Sequence, residues 1–193
     1  MKALLIDREA SHPLLLPPQL TLIADSSITP PGRPVFLPDF TDDWAVEFYF
    51  AVKVSRLGKD IALKFAPRYF ESFTLAMRIV PIDIVDALCS AGRPDGVASV
   101  FDNALTLGEW TPFPASEEDT PLTITLNDAQ IVIEQPRLCA AQAIEAISRY
   151  CTLKTGDILM PFRLTPPATA TSGTTFTATL LPTATPLLTQ RLH

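Results

Sequence analysis

The sequence predicts an α+β fold that consists mostly of short strands, with about three short helices between them. Hydrophobic residues make up 47% of the 193 positions, so the chain can bury enough apolar surface to offset the entropy lost on folding. Most apolar segments are short, alternating, or rich in β-branched and aromatic residues, as strands are. The chain also contains 19 prolines and only seven glycines, which excludes collagen-like and glycine-linker architectures.

The strongest strand signal covers residues 44–54, with the sequence WAVEFYFAVKV, which is long and free of breakers. Because side chains alternate across a strand, its even-numbered residues share one face. Its odd-numbered residues, among them Glu47 and Tyr49, share the other face. The predicted strand therefore places a carboxylate and a phenol on the same side of a sheet.

Three segments have the apolar spacing of helices. Residues 61–70 and 84–91 are short, and Asp83 is expected to cap the second of them. Residues 136–150 form the longest helix, with Pro136 suited to its first turn. The shorter predicted strands, two of which form a hairpin around Asn127, lie at residues 4–6, 20–24, 73–80, 122–126, 130–134 and 175–181.

Charge and composition exclude several classes of function. The 15 basic residues are scattered among 21 acidic ones and the net charge is −6, which argues against binding to nucleic acid. We find no apolar run suited to a membrane span, and the apolar run at the start is too short for a signal peptide. The chain has three cysteines with no close pair, so neither a disulfide framework nor a zinc site is expected. A cytoplasmic location is predicted.

The end of the long helix carries the most informative motif. Residues 148–159, SRYCTLKTGDIL, resemble the segment of the fumarylacetoacetate hydrolase family in which a helix is followed by a Gly-Asp turn and a strand. Upstream stretches within residues 44–59, 65–83 and 100–108 are similar to that family in order and spacing. The resemblance covers most of the chain up to residue 157 and continues more weakly beyond it.

The resemblance implies the architecture in more detail. It implies a mixed β-sandwich or roll of the type found in the C-terminal domain of this family. A single domain over residues 1–193 is expected, with an irregular segment at residues 1–38 and a core at residues 39–193. Members of the family are commonly homodimers, and the low charged content of 19% independently favours buried subunit surface.

The resemblance also implies a metal site, which this chain does not preserve. Family members use magnesium or manganese, held by three carboxylates, to act on 2-oxo acids. The three ligand positions correspond here to Glu47, Tyr49 and Arg78. Glu47 is therefore the only metal-ligand position that remains.

Other functional positions of the family are altered as well. The resemblance puts Ser99 at the position of a substrate-contacting lysine, and Arg163 in a loop that should hold substrate oxygens. His12 lies near the position of a catalytic histidine, although the Asn and Tyr of that motif are absent. The alternative for His12 is an ordinary loop histidine.

These replacements indicate a degenerate site. An arginine adds positive charge where the cation would lie, so we expect the Arg78 guanidinium to pair with the Glu47 carboxylate and no metal cofactor to be required. A buried Glu47 without a partner would carry a large desolvation cost. The alternatives for Glu47 are a solvent-facing strand carboxylate and a true metal ligand.

Three interpretations of function follow. The first is a divergent family member without metal-dependent catalysis, which binds a small carboxylate or 2-oxo acid through Arg78 and Arg163 or acts as an interaction protein. The second is an active hydrolase, decarboxylase or isomerase for acylpyruvate- or oxaloacetate-type 2-oxo acids, with Mg²⁺ or Mn²⁺ in a rearranged site. The third is a structural partner in a larger assembly. Neither nucleic acid nor a membrane is expected as a partner.

Overall fold

Two β-sheets and two α-helices are present in the computed structural model, which describes residues 1–9, 12–114 and 119–193. The α-helices are α1 Ile82–Ser90 and α2 Pro136–Ser148. Short 3₁₀ helices lie at Asp25–Ser27, Leu63–Tyr69 and Gly96–Ser99. The strands are β1 Lys2–Ile6, β2 Leu20–Ala24, β3 Ile28–Thr29, β4 Trp44–Val54, β5 Phe70–Pro81, β6 Leu105–Leu107, β7 Thr111–Pro112, β8 Leu122–Leu126, β9 Ala129–Ile133, β10 Ile158–Arg163, β11 Ala168–Ala170, β12 Thr175–Leu181 and β13 Thr185–Arg191.

The main sheet has the strand order β2-β1-β10-β4-β5-β6-β3, with β11 paired to β4 and β7 paired to β5. Its longest pairing is the antiparallel one between β4 and β5, in which Trp44 lies opposite Pro81. The sheet curls into a nearly closed barrel. On its inner face, Tyr49 of β4 packs with apolar side chains that include Leu5 of β1 and Met160 of β10.

The other face of the main sheet is covered by the second sheet and by α2. The second sheet has the order β13-β12-β8-β9, and all its pairings are antiparallel. Phe48 of β4 meets Phe176 of β12 edge to face, with ring centroids 5.3 Å apart. Ile144 of α2 is fully buried in the same core. The predicted fold class, mostly β with about three short helices in a sandwich or roll, is confirmed.

The N-terminal segment, which was predicted to be irregular, contains regular strands. Residues 1–38 contribute three strands to the main sheet, and β1 lies between β2 and β10. The apolar side chains of β1 fill the barrel on one face and the main core on the other. A short apolar run is sufficient for this position because its neighbours on both sides supply the hydrogen bonds.

Two predicted helices differ in detail from the observed ones. The segment predicted as a helix at residues 61–70 forms a 3₁₀ helix, since Pro67 within it lacks the N–H that an α-helical turn requires. Helix α1 begins at Ile82, directly after β5, without a connecting loop. Asp83 therefore lies in the first turn of α1 and accepts a hydrogen bond from Thr41 Oγ1 at 2.7 Å instead of capping the helix.

The cysteines are free thiols, and none of them belongs to a disulfide. Burial raises the pKa of the Cys139 thiol, although the nearby Arg8 opposes this shift. A raised pKa keeps the thiol neutral and makes it a poor nucleophile. Over the described residues, no helix has the length and apolar character needed to cross a membrane.

Candidate functional site

Glu47 lies on the inner face of β4, directly opposite Arg78 of β5. Side chains of opposed residues in an antiparallel pair extend to the same side of the sheet, so the two groups meet inside the barrel. Both residues are nearly buried, with exposed fractions of 7% for Glu47 and 8% for Arg78. The ion pair expected from the sequence is present there, with Arg78 Nη1 3.1 Å from Glu47 Oε2.

Two more groups complete the hydrogen bonding of the Glu47 carboxylate. The Tyr49 hydroxyl donates to Oε2 at 2.9 Å, from the next residue on the same face of β4. Arg163 Nη1 donates to Oε1 at 3.0 Å, and the register of β10 against β4 places Arg163 opposite Tyr49. Both carboxylate oxygens are therefore occupied, and two of the three donors are guanidinium groups.

The two arginines extend this network beyond Glu47. Arg78 Nη2 donates to the buried Ser99 Oγ at 3.2 Å. Arg163 Nη2 donates to Glu9 Oε1 at 3.1 Å, and Glu9 is held beside Arg163 by an isolated β-bridge. The Glu9 side chain is 48% exposed, so the network reaches solvent there. We call this set the Glu47 cluster, and its members are Glu9, Glu47, Tyr49, Arg78, Ser99 and Arg163.

The inner part of the Glu47 cluster carries more positive than negative charge, because Arg78 and Arg163 face a single carboxylate, Glu47. Burial raises the pKa of Tyr49 and the Glu47 charge raises it further, so the phenol stays protonated and donates its hydrogen bond. Burial lowers the pKa of Arg163, but the bonds to Glu47 and Glu9 outweigh this effect and raise it. Among the described residues, the buried Nε–H groups of Arg78 and Arg163 have no acceptor.

Part of the loss of stability in alkaline solution is expected to come from Tyr49. The phenol of the unfolded chain ionises near its ordinary pKa of 10.0, whereas the folded protein raises the pKa of Tyr49 above that value. From about pH 10 upward the unfolded state therefore releases a proton that the native state retains, which favours unfolding. Urea unfolding as a function of pH should show a smaller loss of stability above about pH 10 in Tyr49→Phe than in the wild type.

The matched control for this prediction is Tyr150→Phe, since Tyr150 is exposed and lies at the end of α2. This variant should follow the wild-type pH dependence above pH 10. If Tyr49→Phe loses stability with pH as steeply as the wild type, the prediction is wrong.

The Glu47 cluster does not fit a divalent cation. Magnesium and manganese require oxygen ligands, several of them anionic. The resemblance implies metal ligands at the positions of Glu47, Tyr49 and Arg78, and Glu47 is the only carboxylate among them. The Arg78 guanidinium lies 3.1 Å from that carboxylate and would repel a second cation bound to it. In residues 1–9, 12–114 and 119–193, no group of three or more His, Cys, Asp or Glu side chains is arranged to hold a metal.

Five of the six candidate residues from the sequence lie in the Glu47 cluster, and their functional roles stay predictions. The sixth, His12, is exposed, and its backbone N–H donates to the Glu9 carbonyl. Within the described chain, no side-chain hydrogen bond or ion pair joins His12 to the cluster. Sequence reasoning missed Glu9, because it follows β1 without a motif and its partner Arg163 is 154 residues away.

Comparison with known families agrees with the fold. The family model described as fumarylacetoacetate (FAA) hydrolase C-terminal matches residues 4–161, which is most of the chain. No curated protein matches this sequence.

Solved structures are similar over the whole chain. A fumarylacetoacetate hydrolase family protein of Yersinia pestis CO92 has 19% identity and a TM-score of 0.80, covering 100% of this chain and 92% of its own. The fumarylpyruvate hydrolase of Pseudomonas aeruginosa, solved with Mn²⁺ and pyruvate, has 16% identity and a TM-score of 0.80, with coverage of 100% and 89%. The 5-carboxymethyl-2-hydroxymuconate delta-isomerase of Mycobacterium smegmatis has 19% identity and a TM-score of 0.74, with coverage of 99% and 78%. At these identities the similarity shows the fold alone.

Proposed function

We propose that this chain, which belongs to the fumarylacetoacetate hydrolase family, binds a small carboxylate at the Glu47 cluster without metal-dependent catalysis. Glu47 is the one ligand position that remains, and two guanidinium groups contact its carboxylate. The observation that carries this proposal is the double pairing of Glu47, to Arg78 at 3.1 Å and to Arg163 at 3.0 Å. These two cations replace the charge that a divalent metal would supply. The family fold is retained, and its cation chemistry is not.

The charge balance of the buried part of the Glu47 cluster favours an anionic ligand. In the buried part, Arg78 and Arg163 exceed the charge of Glu47 by one, and Glu9 offsets this excess only at the solvent-exposed end. Among the residues that the structure describes, the buried Nε–H of each arginine has no acceptor. A carboxylate accepts hydrogen bonds from guanidinium groups in a planar, bidentate geometry. The similar Pseudomonas hydrolase was solved with pyruvate, which is a 2-oxo acid. We propose a ligand of this class, a small mono- or dicarboxylate with or without a 2-oxo group.

The ligand would enter the Glu47 cluster at Glu9, the member of the cluster that reaches solvent. Its carboxylate already occupies one donor of Arg163, on the side that reaches solvent. An incoming carboxylate therefore competes with Glu9 for the same guanidinium. Removing the charge of Glu9 should strengthen binding, whereas removing the guanidinium of Arg163 should weaken it, and these opposite effects test the site directly.

We expect isothermal titration calorimetry in the presence of EDTA to detect binding of pyruvate, oxaloacetate or succinate to the wild-type protein. Arg163→Gln should weaken this binding by about tenfold or more, since a hydrogen bond to a charged group is lost. Glu9→Gln should strengthen it severalfold. The exposed Arg191→Gln serves as the matched charge control and should bind like the wild type.

Three results would count against the proposal. One is the absence of binding with all three carboxylates, and another is equal binding of pyruvate and its uncharged amide. The third is turnover of oxaloacetate or an acylpyruvate that requires Mg²⁺ or Mn²⁺, which would support the alternative of an active metal-dependent hydrolase, decarboxylase or isomerase. An interaction role, a homodimer and a cytoplasmic location stay predictions.

A further inference from the structure

The segment between β4 and β5 is basic in an otherwise acidic protein. Residues 55–69 contain four cations and one acidic residue, whereas the whole chain has a net charge of −6. This segment surrounds a surface depression of about 310 Å³. We call this depression the basic pocket, and its main lining residues are Arg56, Lys59, Asp60, Phe65, Arg68 and Tyr69.

The cations of this segment have no acidic partners in the described parts of the chain. All the ion pairs there involve other basic groups, such as Lys2, Arg78, Arg149 and Arg163. The four cations are exposed, and they are Arg56, Lys59, Lys64 and Arg68. Four cations beside a single carboxylate, that of Asp60, leave an excess of positive charge whose members repel one another, so a bound anion would relieve this cost.

The backbone that carries these cations is anchored to the core. Gly58 exchanges two hydrogen bonds with Leu153, and the N–H of Ser55 donates to the Tyr69 carbonyl at 2.8 Å. Ile61 N–H donates to the buried Ser148 Oγ at 2.9 Å. A Cβ on Gly58 would lie 2.5 Å from the Tyr69 ring, so a side chain there would force the packed Tyr69 and Ile61 side chains to shift. The cations are therefore presented from a fixed support, which lowers the entropy lost when a ligand binds.

An aromatic side chain stands between two of the cations. Lys64 Nζ lies 4.8 Å and Arg68 Cζ 5.4 Å from the centre of the Phe65 ring. The cation–π contact of Arg68 orients its guanidinium beside the depression, which Phe65 and Arg68 both line. The planar guanidinium groups of Arg56 and Arg68 are suited to phosphate oxygens, which they can bind in a bidentate manner.

We propose that the basic pocket binds a small molecule that carries phosphate groups. Its concave shape favours a small ligand over an extended surface, and the net charge of −6 disfavours a polyanion such as nucleic acid, which would meet repulsion elsewhere on the protein. The basic pocket and the Glu47 cluster share no residue. The phosphate proposal is therefore tested independently of the carboxylate proposal.

The probe for this proposal is inorganic pyrophosphate, titrated into the full chain by calorimetry against sodium chloride at the same ionic strength. The wild type should bind pyrophosphate, and Arg56→Gln/Arg68→Gln should bind it about tenfold or more weakly. Arg93→Gln/Arg191→Gln removes the same charge from exposed positions outside the pocket and should bind like the wild type. All four positions are exposed, so the variants should fold.

Each other outcome overturns the proposal. Absence of pyrophosphate binding, or heat that sodium chloride reproduces, would show that the pocket does not select phosphate. An equal loss in both double variants would indicate a general charge effect, and unchanged binding in Arg56→Gln/Arg68→Gln would place the site elsewhere. Binding to anionic vesicles or to a single-stranded oligonucleotide without binding to pyrophosphate would assign the surface to a macromolecule instead.

Discussion

Replacement of Arg78 by methionine is expected to lower the free energy of unfolding by about 3 kcal/mol, because it leaves a buried carboxylate with only one of its two cations. Glu47 is 7% exposed and cannot recover its hydration without opening the barrel. Methionine keeps much of the apolar volume of the arginine stem, so the loss measures the charge rather than a cavity. Arg163 still contacts Glu47, so we expect a loss of unfolding free energy at the lower end of the range for a broken buried ion pair. Urea unfolding at neutral pH measures it.

The control is Arg93→Met, at an exposed position, which should change the stability by less than about 0.5 kcal/mol. The double variant Glu47→Gln/Arg78→Met should recover part of the loss, since no buried charge then remains at the pair. A loss below about 1 kcal/mol in Arg78→Met would mean that the pair behaves like a solvated surface pair. That result would remove the electrostatic basis of the Glu47 cluster.

Restoring carboxylates at the two altered ligand positions should convert the cluster into a cation site. In Tyr49→Glu/Arg78→Asp, the two new carboxylates would lie together with that of Glu47 on the inner face of the barrel, three in all. Without a cation their mutual repulsion should destabilise the fold, and Mn²⁺ should reverse this. At a free Mn²⁺ concentration 100 times Kd, the gain in unfolding free energy is about 2.7 kcal/mol. Thermal unfolding with Mn²⁺ and with EDTA measures the difference.

A neutral variant of similar shape separates charge from packing in this experiment. Tyr49→Gln/Arg78→Asn should unfold at the same temperature with Mn²⁺ and with EDTA, as should the wild type. If the wild type is stabilised by Mn²⁺ as strongly as Tyr49→Glu/Arg78→Asp, the proposal of a site without metal is wrong. Arg163, which lies 3.0 Å from Glu47, remains in this carboxylate variant, so the same experiment is made with Arg163→Gln added. If neither carboxylate variant responds to Mn²⁺, the assignment of these positions as former ligands is wrong.

Much of the fold and part of the site could be predicted from residue patterns. The alternation in β4 predicted that Glu47 and Tyr49 share a face, and the hydrogen bond between them confirms it. The pairing of Arg78 with Glu47 was expected from a family resemblance and from the cost of an unpaired buried carboxylate. The register of β4 against β5 then supplied the geometry that no pattern contained.

Other features escaped prediction because their partners are distant in sequence. The first turn of α2 is capped by Asp119, whose carboxylate accepts from the N–H groups of Arg137 and Leu138, each at 2.9 Å. Gln135, the residue in the local capping position, makes no side-chain cap. Capping signals in a sequence concern the residues next to a helix, so a cap from a separate loop leaves no such signal.

The same physical division separates what residue patterns establish about this protein from what requires its three-dimensional structure. Hydrophobic alternation acts between near neighbours, so it was sufficient for the mostly-β class, for the long strand β4 and for the shared face of Glu47 and Tyr49. The charge network joins Glu47 to Arg78 and Arg163, which are 31 and 116 residues away. No local preference acts over such separations. Only the pairing of β4 with β5 on one side and with β10 on the other brings both guanidinium groups to one buried carboxylate, where desolvation makes each of them necessary.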